Sequence, residues 1–168
     1  MLWPTGSNSD FAIVPARTAT ELTSAAGIFR AYAAALPVDL APQGFGQELA
    51  ALPGPYAPPS GELLLAKRGD HVLGCIALKP LTPGVVEIKR LFVRPRERGK
   101  GIAKALVAAA IATARVRGAG EIKLDTLPDM QAAIALYKSF GFMPIASYGS
   151  HPYPGLLCFG LKMEAASG

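Results

Sequence analysis

The chain has 168 residues, of which 51% are hydrophobic and 17% charged, a balance that suits one packed domain and argues against intrinsic disorder. Its formal net charge is +5, yet the basic residues form no long run with interleaved aromatics, which argues against a nucleic-acid partner. The longest apolar stretch, residues 105–114, is too short to span a bilayer, and residues 1–10 lack the features of a secretory leader, so no membrane partner and a cytoplasmic location are expected.

In chain order, residues 11–15 predict a strand, followed by a helix over 20–36 with Thr20 as N-cap, Glu21 in the first turn and Pro37 as the stop. A shorter helix is expected over 44–52, then a loop over 53–61, where prolines crowd together. Residues 62–67 and 71–79 read as antiparallel strands around the Arg68-Gly69-Asp70 turn. Thr82-Pro83-Gly84 turns the chain into a strand over 85–93. A long helix is expected over 99–117, a strand over 122–126, a helix over 129–140, and strands over 142–148 and 156–163 around a loop at 149–155. This order predicts an α/β fold: a mixed sheet with helices on its faces, undivided by any linker or repeat. Cys75 and Cys158 lie in apolar, strand-like contexts without a metal or redox motif, and read as buried structural thiols.

The chemistry-bearing residues gather after the fourth strand. Lys89, Arg90, Arg94, Arg96, Arg98, Lys100 and Lys104 form the one dense basic cluster, which suits a phosphorylated ligand and equally an ordinary solvated surface. Within it, Gly99 and Gly101 sit where a strand gives way to a helix. Glycine lets a phosphate approach the backbone, and the first N–H groups of a helix have no internal partners. The pattern fails the dinucleotide fingerprint at its third glycine position, where Lys104 stands, and no nucleotide-triphosphate loop is present.

Arg96, Gly99 and Gly101 resemble the [QR]-x-x-G-x-[GA] signature of the GNAT superfamily of N-acetyltransferases. Downstream, Ala133-Ile134-Ala135-Leu136-Tyr137-Lys138-Ser139-Phe140-Gly141-Phe142 is similar to the family's A-I-x-L-Y-x-x-x-G-F block. The resemblance covers roughly residues 62–163, and departs from the pattern at Met130, where relatives commonly carry Asn. It implies a mixed, mostly antiparallel sheet of about six or seven strands flanked by about four helices. One domain would fill residues 1–168, with acceptor-side helices at about 18–52 and a cofactor-binding core at about 62–163.

The resemblance further implies acetyl-CoA as co-substrate, no metal, and direct transfer to an amine. The pantetheine arm would pair with the backbone of Leu91, Phe92 and Val93, between strands that splay apart. Backbone N–H groups of Arg98, Gly99, Lys100, Gly101, Ile102, Ala103 and Lys104 would hold the pyrophosphate, with Arg94, Arg98 or Lys104 neutralising the adenosine phosphates. Glu87 matches a position where several relatives carry a catalytic base; it reads equally as a strand carboxylate paired with Lys89 or Lys67. Tyr137 matches the usual general acid, or is a packing ring. Tyr148, His151 and Tyr153 belong to a segment that often overhangs the acceptor. Asp125 and Asp129 offer a counter-charge for a cationic acceptor, although Asp129 also suits a helix N-cap. A small amine or amino acid is the expected acceptor; a protein N-terminus or lysine, or a silent acyl-CoA sensor, are the alternatives. A homodimer is compatible with the resemblance.

Overall fold

Leu63, Leu64, Leu65 and Ala66, and Cys75, Ile76, Ala77 and Leu78, are all buried, as befits two strands at the centre of a sheet covered on both faces. The computed structural model describes residues 10–149, 153 and 155–164. Among these the strands are β1 (Ala12–Pro15), β2 (Glu62–Arg68), β3 (His71–Thr82), β4 (Val85–Val93), β5 (Glu121–Thr126), β6 (Met143–Pro144) and β7 (Leu157–Lys162). They form one sheet of 7 strands in the order β1-β2-β3-β4-β5-β7-β6, antiparallel throughout except between β4 and β5.

Four α-helices cover it: α1 (Ala19–Ala35), α2 (Phe45–Ala50), α3 (Ile102–Val116) and α4 (Gln131–Ser139). On one face α1 buries Ala25, Ile28 and Phe29 against Leu63, Leu65 and Cys75. On the other, α3 and α4 bury Leu106, Ala110 and Ile134 against Leu64, Ile76 and Ile122. Alternation along β2 and β3 supplies both cores at once. No helix of the described residues is long and apolar enough to cross a membrane.

Four boundaries differ from the sequence expectation. The N-cap of α1 is Thr18, whose hydroxyl accepts from Glu21 N while the Glu21 carboxylate accepts from Thr18 N, a capping box. Helix α3 begins at Ile102, because Gly99 and Gly101 adopt left-handed φ of 79° and 83° that no helix continues. Helix α4 is capped by Met130 without a side-chain bond, so Asp129 is not its cap. The strand expected over 142–148 stops after Met143–Pro144: Ile145 N makes one more bond to Cys158 O, and the chain then leaves the sheet edge.

Two properties of β4 open the sheet. Its ladder with β5 runs only from Val85↔Glu121 to Glu87↔Lys123, although both strands continue. Beyond that point β4 stays with β3 and β5 stays with β7, so their C-terminal ends diverge. Ala77 faces Lys89 but Cys75 faces Phe92, so β4 carries one residue more than β3 across this interval, a bulge. Arg90 within it has φ of 61°, a backbone conformation unusual for a non-glycine residue.

Candidate active site

Three neighbouring cavities lie around the opening between β4 and β5 and share lining residues. An outer cleft of about 490 Å³ lies over the turn into α3 and touches Leu91, Met130 and Ala133. Those three residues also border a narrow throat of about 60 Å³. The throat shares Gln43, Lys89, Arg90 and Asp125 with a third cavity of about 600 Å³ on the far side.

The first cleft collects most of the expected cofactor residues. Leu91, Phe92, Val93, Arg98, Gly99, Gly101, Ile102, Ala103 and Lys104 all border it. A β-carbon on Gly99 or Gly101 would meet nothing within 4 Å, so both glycines face open space and serve the backbone conformation rather than packing. Gly101 caps α3 with no side-chain bond, and the first intrahelical bond is Ala105 N to Gly101 O at 3.1 Å. The N–H groups of Ile102, Ala103 and Lys104 thus have no acceptor within the helix and sit at its positive end, a set of donors suited to phosphate oxygens.

The basic side chains are not all aimed there. Arg94 Nε donates to Val72 O at 2.8 Å, and the residue borders a separate cleft beside β3. Lys100 reaches Glu97 at 3.1 Å. Arg98 Nε donates to Val93 O at 3.1 Å, with its guanidinium 5.8 Å from the Phe92 ring centre. Of the three side chains expected to meet the adenosine phosphates, Arg98 and Lys104 remain beside the cleft.

Tyr137 borders the throat. Its ring packs edge-on to Phe142 at 5.6 Å, and among the described residues its hydroxyl has no hydrogen-bond partner. Burial pushes its phenol well above the ordinary range, with Tyr32 and Asp125 adding to the shift, so it stays protonated. Asp125, at the end of β5, borders both the throat and the third cavity.

Glu87 lies in the third cavity, 4% exposed. Tyr148 donates to its Oε2 at 2.6 Å, while Lys79 and Lys89 stand 3.6 and 3.9 Å from Oε1. Of the two lysines expected beside it, Lys89 is present; Lys67 pairs instead with Glu21 at 3.8 Å. Burial, then the bond to Glu87, raises the Tyr148 phenol, which keeps it a donor. Tyr153 borders the throat and donates to Asp39 O, tying its loop to the segment after α1. His151 lies outside the described residues.

Sequence reasoning missed Arg90 as an organiser of this site. Its side chain is buried, makes two bonds to the Glu48 carboxylate at 2.9 and 2.8 Å, and lies 5.7 and 5.4 Å from the ring centres of Tyr32 and Phe45. It thereby fastens α1 and α2 to the β4 bulge.

Residues 28–142 match the acetyltransferase (GNAT) family. The chain belongs to that family. It is 39% identical over 130 residues to an uncharacterised N-acetyltransferase of Schizosaccharomyces pombe, a match covering 76% of this chain and 79% of that protein. Among solved structures, a GNAT acetyltransferase of Staphylococcus aureus superposes with a TM-score of 0.77 at 19% identity, over 92% of this chain and 99% of its own. A GNAT acetyltransferase of Elizabethkingia anophelis with acetyl-CoA bound superposes with a TM-score of 0.62 at 20% identity, over 93% and 100%. The splayed strands, the turn into α3 and the throat are thus parts of a GNAT N-acetyltransferase, an acyltransferase by class.

Proposed function

We propose that this N-acetyltransferase moves an acetyl group from acetyl-CoA directly to the primary amine of a small molecule or amino acid, with residues 1–168 acting as one domain. The observation that carries this reading is the succession of adjoining cavities from the turn at α3, past the throat, to a separate polar cavity. The backbone N–H groups after Gly101 hold the pyrophosphate, and the free edge of β4 from Leu91 to Val93 aligns the pantetheine arm. The amine nitrogen attacks the thioester carbonyl as the carbon–sulfur bond breaks. Tyr137 gives its proton to the departing sulfur. The amine's proton passes to Glu87 through water, since Glu87 lies four residues back from Leu91 along β4, on the order of 10 Å. Asp125 holds the incoming ammonium near the throat. The tie between Tyr153 and Asp39 narrows the acceptor side, which favours a small acceptor over a folded protein surface.

The first test is thermal. At about 100-fold excess over its dissociation constant, acetyl-CoA adds roughly 2.7 kcal/mol, on the order of 5–10 °C of Tm. Gly101→Glu, which places negative charge at the turn, abolishes that shift, whereas Gly101→Asn, which tolerates left-handed backbone, retains part of it. A folded Gly101→Glu protein that still shifts fully would place the pyrophosphate elsewhere. Free-thiol release from acetyl-CoA, measured across amines, amino acids and peptides, then identifies the acceptor class.

A further inference from the structure

On the β3–β4 side of the acceptor cavity two lysines face one carboxylate. Lys79 and Lys89 converge on a single oxygen of Glu87, at 3.6 and 3.9 Å, both longer than a good hydrogen bond. The other Glu87 oxygen is committed to Tyr148. The Lys89 side chain is only 15% exposed and the Lys79 side chain 33%. Two ammonium groups therefore share one carboxylate in a partly dehydrated place, where charges ordinarily find partners. Arg90 does not alter this balance, because Glu48 already answers it with two bonds. Lys123, 5.3 Å from the Tyr148 ring centre, stands on β5 and outside the cavity lining, so it is no part of this pair.

Across the opening stands a carboxylate. Glu87 pairs in register with Lys123, so Lys89 and Asp125, each two residues further on, flank the point where the strands part. Both border the throat and the acceptor cavity alike. The site thus offers negative charge on the β5 side and surplus positive charge on the β4 side, within reach of one small molecule.

We infer that the acceptor is an amine that also carries an anionic group, a carboxylate or phosphate a few bonds from the nitrogen, with the anion held by Lys79 and Lys89 and the ammonium by Asp125. This rests on the transferase reading above and narrows its substrate. It disfavours polyamines and aminoglycosides, whose extra cations would meet the lysine wall. It favours free amino acids and aminoalkyl phosphates over their neutral counterparts.

The test uses matched pairs: amino acids against their carboxamides, and aminoalkyl phosphates against simple alkylamines and diamines. Initial rates of CoA release are measured with saturating acetyl-CoA. The anionic member of each pair shows a KM about 10–100-fold lower, the value of one or two charge-assisted hydrogen bonds. Lys89→Gln raises the KM of the acid to that of the amide, and Lys79→Gln moves it the same way. Retention of the acetyl-CoA thermal shift shows that each variant is folded. Preference for acids alone, phosphates alone or both identifies the anion. Equal or better use of amides and diamines overturns the inference, as does a Lys89→Gln variant that raises both KM values alike. If the unmodified protein shows an acetyl-CoA shift, such results sink only the anionic acceptor. If it shows no shift, or a shift but no turnover of any amine, the transferase reading fails with it.

Discussion

Glu62 and Glu87 are built to the same formula and do different things. Each is a strand carboxylate at 2% and 4% exposure, and each faces two cations. At Glu62, Arg17 donates twice at 2.7 and 2.9 Å, Arg117 donates at 2.7 Å, and Leu63 N adds a bond at 2.9 Å. That carboxylate is saturated, and it ties the link before α1 to the residue that caps the C-terminus of α3. At Glu87 the cations are lysines that stand off, the one short bond comes from Tyr148, and a cavity lies alongside. The planar, forked guanidinium closes a carboxylate; the single-point ammonium leaves room for another ligand. Burial of a charge therefore does not by itself single out a site. Incomplete pairing beside a cavity is what supports the role proposed for Glu87.

Exchanging each glutamate for its isosteric amide breaks the comparison most forcefully. Glu62→Gln strands two arginines around a neutral amide. Because the Arg17 and Arg117 side chains keep some contact with water, 42% and 30% exposed, the loss is at the low end for a buried pair, about 2–3 kcal/mol. Acetyl-CoA binding and turnover stay close to those of the unmodified protein. Glu87→Gln gives the opposite pattern. Stability falls by about 1–2 kcal/mol, less than at Glu62, since the lysines stand off and Tyr148 can still donate to the amide oxygen. Turnover falls about 100-fold, most at low pH where unprotonated amine is scarcest. Urea melts and steady-state pH–rate profiles on both variants check the pair. If Glu87→Gln destabilises as much as Glu62→Gln and leaves the pH profile unmoved, Glu87 is a second structural ion-pair centre.

The same contrast shows what a sequence can disclose. The cradle was legible because it is local: two glycines and the start of a helix lie within a few residues, and their conformations follow from backbone sterics. The strand and helix content and the mixed sheet were legible from the run of segments and from the signature blocks, whereas the strand order emerges only in the structure. The Arg90–Glu48 pair was not, since its partners are 42 residues apart and nothing nearby announces a left-handed arginine in a strand. The choice between Lys67 and Lys89 beside Glu87 depended on register across the sheet, which composition does not carry. Residues 142–148 misled for a physical reason. They are mostly apolar, as a strand can be, but Pro144 has no donor for a ladder, and Tyr148 is drawn away to Glu87.

Tyr137 sharpens the comparison from the throat. It is a buried ring that borders a cavity, and in that respect it belongs with Glu87 rather than Glu62. Tyr137→Phe keeps the ring that packs on Phe142, so the melting temperature scarcely changes. Loss of the proton donor slows single-turnover acetyl transfer by the low end of the range for general acids, about 100-fold, because a CoA thiolate is already a fair leaving group. Acetyl-CoA affinity, measured separately, is retained. An undiminished transfer rate in a folded, cofactor-binding Phe variant assigns the proton to water or to the acceptor itself.

The smallest effect is expected from acid, and it also separates saturated pairing from loose pairing. Burial alone would raise the Glu62 carboxyl, but the Arg17 hydrogen bonds, with help from Leu63 N and Arg117, outweigh it and hold the group below its ordinary 4.5. A carboxyl lowered by folding contributes stability that is complete above about 4.5 and fades as pH falls through its folded value. Glu97 behaves alike at the edge of the cofactor cleft, where Arg68 first and Lys100 second lower it to about 2. Below about pH 4.5 the unmodified protein therefore loses stability progressively, and Glu62→Gln, lacking one of these protons to take up, loses it less steeply. Glu97→Gln flattens the slope less again, since its partners on Arg68 and Lys100 lie closer to solvent. Urea midpoints between about pH 3 and 6 measure the three slopes. Equal slopes in the unmodified protein and Glu62→Gln would mean that the two arginines do not hold Glu62 ionised, and the distinction between the closed and the open carboxylate would lose its electrostatic basis.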